Sequence, residues 1–83
     1  MQVYPVPAKD LVNIRIVSES EPVNLMVEIY DLIGNVIFKQ NVKSKEFNYQ
    51  LNLNFYPTNM FILNVIDVQS HQKRFYKIIK ITA

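Results

Sequence analysis

Eighty-three residues allow one small domain with a thin core, because a chain of this length buries only about 60–65% of the surface it exposes unfolded. Hydrophobic residues make up 49% and charged residues 19%, with one Gly and four Pro, a balance that favours a packed fold over disorder. The absence of Cys and the single His exclude a disulfide scaffold, thiolate chemistry and a multi-His zinc site, and a formal charge of +2 gives no reason to expect nucleic acid.

Val, Ile, Tyr and Phe dominate the apolar set, and they fall in short runs separated by turn residues about every ten positions, the pattern of an all-β chain. A short extended start covers Val3 to Pro5. The first clear strand is Leu11 to Ile16, with Val12, Ile14 and Ile16 on one face and Asn13 and Arg15 on the other. After the polar stretch Ser18 to Pro22, Leu25 to Tyr30 places Leu25, Val27 and Ile29 together and Glu28 opposite. Asp31-Leu32-Ile33-Gly34 reads as a type I turn closed by a left-handed glycine, from which Val36 to Gln40 returns as a hairpin.

Phe47, Tyr49, Leu51 and Leu53 alternate with Glu46, Asn48, Gln50 and Asn52, the cleanest half-buried strand in the chain. Tyr56-Pro57-Thr58-Asn59 breaks it, with Asn59 suited to a left-handed conformation. Phe61, Leu63 and Val65 form the next inward row. Asp67 to Lys73 reads as a polar hairpin loop, and Arg74 to Ile81 is the last strand, central or at an edge, since both its faces carry apolar groups: Phe75, Ile79 and Ile81 on one, Tyr76 and Ile78 on the other. About seven short antiparallel strands in this length predict an immunoglobulin-like antiparallel β-sandwich, residues 1–83 forming a single domain.

Four groups of residues resemble a known family in their order and spacing. They are Tyr4-Pro5-Val6-Pro7-Ala8-Lys9-Asp10, then Val27 to Ile37 with Tyr30, Asp31 and Gly34, then Leu51-Asn52-Leu53 with Tyr56-Pro57 and Met60 to Leu63, and finally Lys77-Ile78-Ile79-Lys80. Together they resemble the C-terminal sorting domain of the type IX (Por) secretion system of Bacteroidota, over Val3 to Lys80. The chain departs from the family where Val6 replaces the usual Asn, Asn59 the usual Gly and Phe61 the usual Tyr.

The resemblance implies a C-terminal export signal, excised here from a larger secreted protein. Its cargo would reach the periplasm by its own signal peptide, cross the outer membrane through the type IX translocon, and lose the domain to a sortase-like cysteine peptidase. The cargo would end on the cell surface or in the medium. The residues that carry the resemblance, and so the expected recognition determinants, are Tyr4, Pro5, Pro7, Lys9, Asp10, Gly34, Lys77, Ile78, Ile79 and Lys80. The terminal segments Val3 to Pro5 and Arg74 to Lys80 are the natural edges through which main-chain hydrogen bonds could be offered.

The other function classes find little support. There is no nucleophile motif and no Gly-rich phosphate loop, so neither a catalytic residue, a metal ligand nor a cofactor is expected; the domain is read as non-enzymatic, whatever the activity of its parent, a secreted peptidase for example. His71, between Ser70 and Gln72, reads as a solvated hairpin residue. Phe47, Tyr49, Phe61 and Phe75 read as core, leaving Tyr30, Phe55, Tyr56 and Tyr76 as the aromatics that could form a protein-binding patch. Lys73, Arg74, Lys77 and Lys80 read as protection of an edge strand, or as the part of it that docks. No apolar run reaches the roughly 18 residues that span a bilayer, so no direct membrane insertion is expected. The N-terminus lacks the pattern of a signal peptide. Dimerisation by edge pairing or by exchange of the first strand is the one self-association expected. The alternative reading is an immunoglobulin-like binding or adhesion module of a surface protein.

Overall fold

The computed structural model describes residues 1–5, 9–19 and 21–81. Seven strands follow in order: β1 (Gln2–Tyr4), β2 (Leu11–Val17), β3 (Leu25–Asp31), β4 (Val36–Val42), β5 (Glu46–Asn52), β6 (Met60–Asp67) and β7 (Lys73–Ile79). A single 3-10 turn, Leu53–Phe55, lies between β5 and β6, and no α-helix occurs among the described residues. Every pairing is antiparallel, giving a three-stranded sheet β1-β2-β5 and a four-stranded sheet β4-β3-β6-β7. In a constant-type immunoglobulin domain the fourth strand joins the sheet of the first, second and fifth. Here it pairs with the third instead, so the expected seven-stranded sandwich divides three against four.

Alternate residues of the two sheets build one core. Val12, Ile14, Ile16 and Leu51 from the smaller sheet cluster with Val27, Ile29, Phe61, Leu63, Val65 and Ile78 from the larger. At the open side Phe38 of β4 stacks on Tyr49 of β5, ring centroids 4.0 Å apart and tilted by 25°, which ties the edge strands of the two sheets together.

The β3–β4 turn forms as its sequence predicts. Gly34 N donates to Asp31 O at 3.2 Å, and Gly34 takes φ +89°. The Asp31 carboxylate accepts from Ile33 N (3.0 Å), Asn35 N (2.8 Å) and Asn35 Nδ2 (3.0 Å). A register shift after Ile29 then places Ile37 as the extra residue of a bulge in β4.

Three expectations are corrected. Phe75 is not core: it is 65% exposed, and Ile79 and Ile81 are exposed as well. The phase of β7 is fixed by its pairing with β6, where Ile78 lies opposite buried Phe61 and Tyr76 opposite buried Leu63. Those two therefore turn inward, and Phe75 and Ile79 turn outward. The strand itself stops at Ile79 and lies at an edge of its sheet.

Asn59 does not take a left-handed conformation; the non-glycine residue that does, among those described, is His71 at φ +62°. It closes the β6–β7 hairpin by donating from its N–H to Asp67 O at 2.8 Å. Tyr30, Tyr56 and Tyr76 are half-buried, with Tyr56 set edge-on to Phe61 at 5.9 Å, so Phe55 alone of the four aromatics is fully presented to solvent.

Candidate recognition surface at one end of the sandwich

The antiparallel order decides which residues share an end. β5 finishes at Asn52 beside Leu11, the first residue of β2. Residues 53–59 then lead to Met60, which opens β6 beside Ile79, the last residue of β7. Asp31 at the end of β3 pairs with Phe61, and Tyr4 at the end of β1 pairs with Asn13. One end of the sandwich thus collects Tyr4, Pro5, Lys9, Asp10, Gly34, Ile79 and Lys80, and Lys77 and Ile78 lead into it along β7. Pro7 lies outside the described residues. Met1, residues 18–19 and 21–24, and the loops 43–45 and 68–72 belong to the opposite end.

Local bonds explain why these residues hold their places. Asp10 O accepts from Leu53 N at 2.8 Å and its carboxylate from Asn54 Nδ2 at 2.9 Å, so the start of β2 is fastened to the 3-10 turn. That turn is capped by Asn52, whose Oδ1 accepts from Asn54 N at 3.0 Å. Lys80 N donates to Asn59 O at 2.8 Å, which carries the chain past the end of β7 alongside the loop before β6. Ile78 is fully buried, so its part in the Lys77–Lys80 group is to seat the strand, while Lys77 and Ile79 face outward.

The same end exposes apolar side chains: Phe55, one of the aromatics expected to be presented, and several that sequence reading passed over. Ile33 is 85% and Phe55 77% exposed, and Leu32, Val36, Leu11 and Ile81 are exposed too. Turn composition could have signalled Leu32 and Ile33, because they fill the two central positions of a turn where polar residues are usual. Scattered exposed apolar residues are ordinary, whereas several at one end form a surface suited to protein contact.

Electrostatics at this end centre on Asp31. Its loss of hydration pushes its carboxyl up, but donations from Asn35, Ile33 and Gly34 outweigh that and hold it below the ordinary value of 3.8. At the opposite end the Asp67 carboxyl is also lowered, chiefly by backbone donations from Ser70 and Gln69. No group of three His, Asp or Glu that could hold a metal occurs among the described residues, and no helix among them is long and apolar enough to cross a membrane.

The model of the secretion system C-terminal sorting domain matches residues 2–81. The chain belongs to that family. Neither the curated proteins nor the solved structures offer a match. The sorting domain is accordingly a type IX secretion signal, and membership implies interaction with that system and export to the cell surface or the medium. As a signal it is not itself catalytic.

Proposed function

We propose that this domain is a detachable C-terminal signal, read in its folded state through the end of the sandwich that carries Tyr4, Pro5, Lys9, Asp10, Gly34 and residues 77–80. The observation that carries this reading is the gathering of those residues, with exposed Ile33 and Phe55, at the end away from Met1. A cargo joined ahead of Met1 hangs from the opposite end and leaves this surface uncovered. The edge strands β1 and β7 add main-chain donors and acceptors, which a receptor can use while side chains drift among cargos. The outer-membrane translocon is the reader, the folded domain passes through the periplasm on the way, and a sortase-like cysteine peptidase cuts it from the cargo afterwards.

The test is a reporter carrying its own signal peptide and this domain at its C-terminus, with Ile33→Ser and Phe55→Ser introduced together. Both side chains are exposed, so each change should alter stability by less than about 0.5 kcal/mol. If the end is the recognition surface, losing two contact residues should cut surface delivery by at least about tenfold. Full delivery of the double variant would place recognition elsewhere.

A further inference from the structure

The two sheets show solvent very different faces. Outward positions of the three-stranded sheet are polar along its length (Gln2, Asn13, Arg15, Glu46, Asn48, Gln50 and Asn52), with exposed Tyr4, Leu11 and Val17 at the strand ends. The four-stranded sheet turns out Met26, Tyr30, Ile62, Ile66, Phe75 and Ile79. At the centre of that apolar face two polar residues sit side by side, Glu28 of β3 and Asn64 of β6, only 7% and 9% exposed.

Asn64 Nδ2 donates to Glu28 Oε1 at 3.0 Å, and Lys39 Nζ lies 3.6 Å from Glu28 Oε2. Asn64 Oδ1 is buried with no hydrogen-bond partner among the described residues. Most buried polar atoms are paired, so an orphaned acceptor on an outer sheet face needs a reason. Phe75 is directly across the β6–β7 ladder from Asn64. The face is also positive: Lys39, Lys73 and Lys77 point outward, against Glu28 as the one outward carboxylate, which Lys39 already engages.

We propose that this face docks an acidic polypeptide segment of a partner protein. The segment lies across β3, β6 and β7, with apolar side chains on Ile62 and Phe75 and carboxylates against Lys73 and Lys77. Its N–H groups reach Asn64 Oδ1 as the Phe75 ring swings aside. A second copy set face to face would oppose three lysines with three. An anionic bilayer would attract the lysines, but its surface presents no peptide N–H groups to the unpaired Asn64 Oδ1. The proposal goes beyond the sorting reading, and it is tested on the purified chain without export.

The probe is the random copolymer of glutamate and tyrosine, titrated into the labelled full chain and followed by amide chemical shifts and calorimetry at low salt. Saturable binding should shift amides of β3, β6 and β7 and weaken as salt rises. Phe75→Ser, and separately Lys73→Glu with Lys77→Glu, should each weaken it by at least about tenfold. Lys43→Glu with Lys45→Glu makes the same change in net charge in the β4–β5 loop and should leave binding little altered. Equal losses from both charge pairs would reduce the effect to net charge and overturn the proposal. So would tighter binding of phosphatidylglycerol vesicles or of a lysine–tyrosine copolymer through the same residues, or concentration-dependent self-association that shifts those amides.

Discussion

Ile78 and Ile79 are chemically identical neighbours with opposite surroundings, and truncating each in turn tests the phase of β7. Ile78 is fully buried opposite Phe61, whereas Ile79 is 42% exposed at the end of the outer face. Core Ile→Ala changes cost about 2–5 kcal/mol, from lost transfer energy and the cavity left behind. Full burial of an Ile side chain is worth about 1.5–3 kcal/mol, and Ile79 realises little more than half of that, so Ile79→Ala should cost no more than about 1–2 kcal/mol. An 83-residue domain has a total stability of about 4–12 kcal/mol, so Ile78→Ala removes a large share of it. Urea denaturation followed by circular dichroism should show a large fall in midpoint for Ile78→Ala, a small one for Ile79→Ala, and an unchanged slope for both. Equal losses, or a larger loss at Ile79, would mean that β7 presents its other face to the core and that Phe75 does not lie outside.

Gly34→Val should destabilise by about 1–2 kcal/mol, because a β-branched residue must adopt φ +89° although no neighbour crowds its side chain; Gly34→Asn should cost clearly less, and parity between the two in denaturation would remove the backbone explanation. The lowered Asp31 and Asp67 carboxyls lend stability above the unfolded value near 3.8, stability that disappears as pH falls through their lower folded values. Acid unfolding should therefore be shallower in Asp31→Asn with Asp67→Asn, and an identical acid limb would refute the assignment. β1 is held by a three-residue ladder to β2 alone, so the isolated chain at millimolar concentration should form dimers by edge pairing or strand exchange; a strictly monomeric light-scattering record would count against this.

The sandwich was legible where one face of a strand is apolar and the other polar. Leu11 to Ile16 and Glu46 to Asn52 state their inward rows outright, and Asp31 and Gly34 state their turn. The last strand did not, because Phe75, Tyr76, Ile78 and Ile79 place apolar groups in both phases, and only pairing with β6 decides between them. The left-handed residue of the β6–β7 hairpin, His71, was equally hidden: His shares with Asn and Asp an enrichment at positive φ, but that enrichment marks no single position in a loop of polar residues. Family motifs were readable as a series along the chain, but their convergence on one end is a product of strand order. Burial of Glu28 and Asn64 on an outer face was not legible at all, since polar residues at outward positions ordinarily signal solvent.

The central claim is that this sandwich by itself directs export, and a fusion measures it most directly. A reporter with its own signal peptide and residues 1–83 at its C-terminus should appear on the surface or in the medium of a type IX-competent bacterium, freed of the domain, and should remain periplasmic in a strain lacking the translocon. Retention of the intact, folded fusion in the periplasm of the competent strain would contradict the account and leave the domain as a binding module.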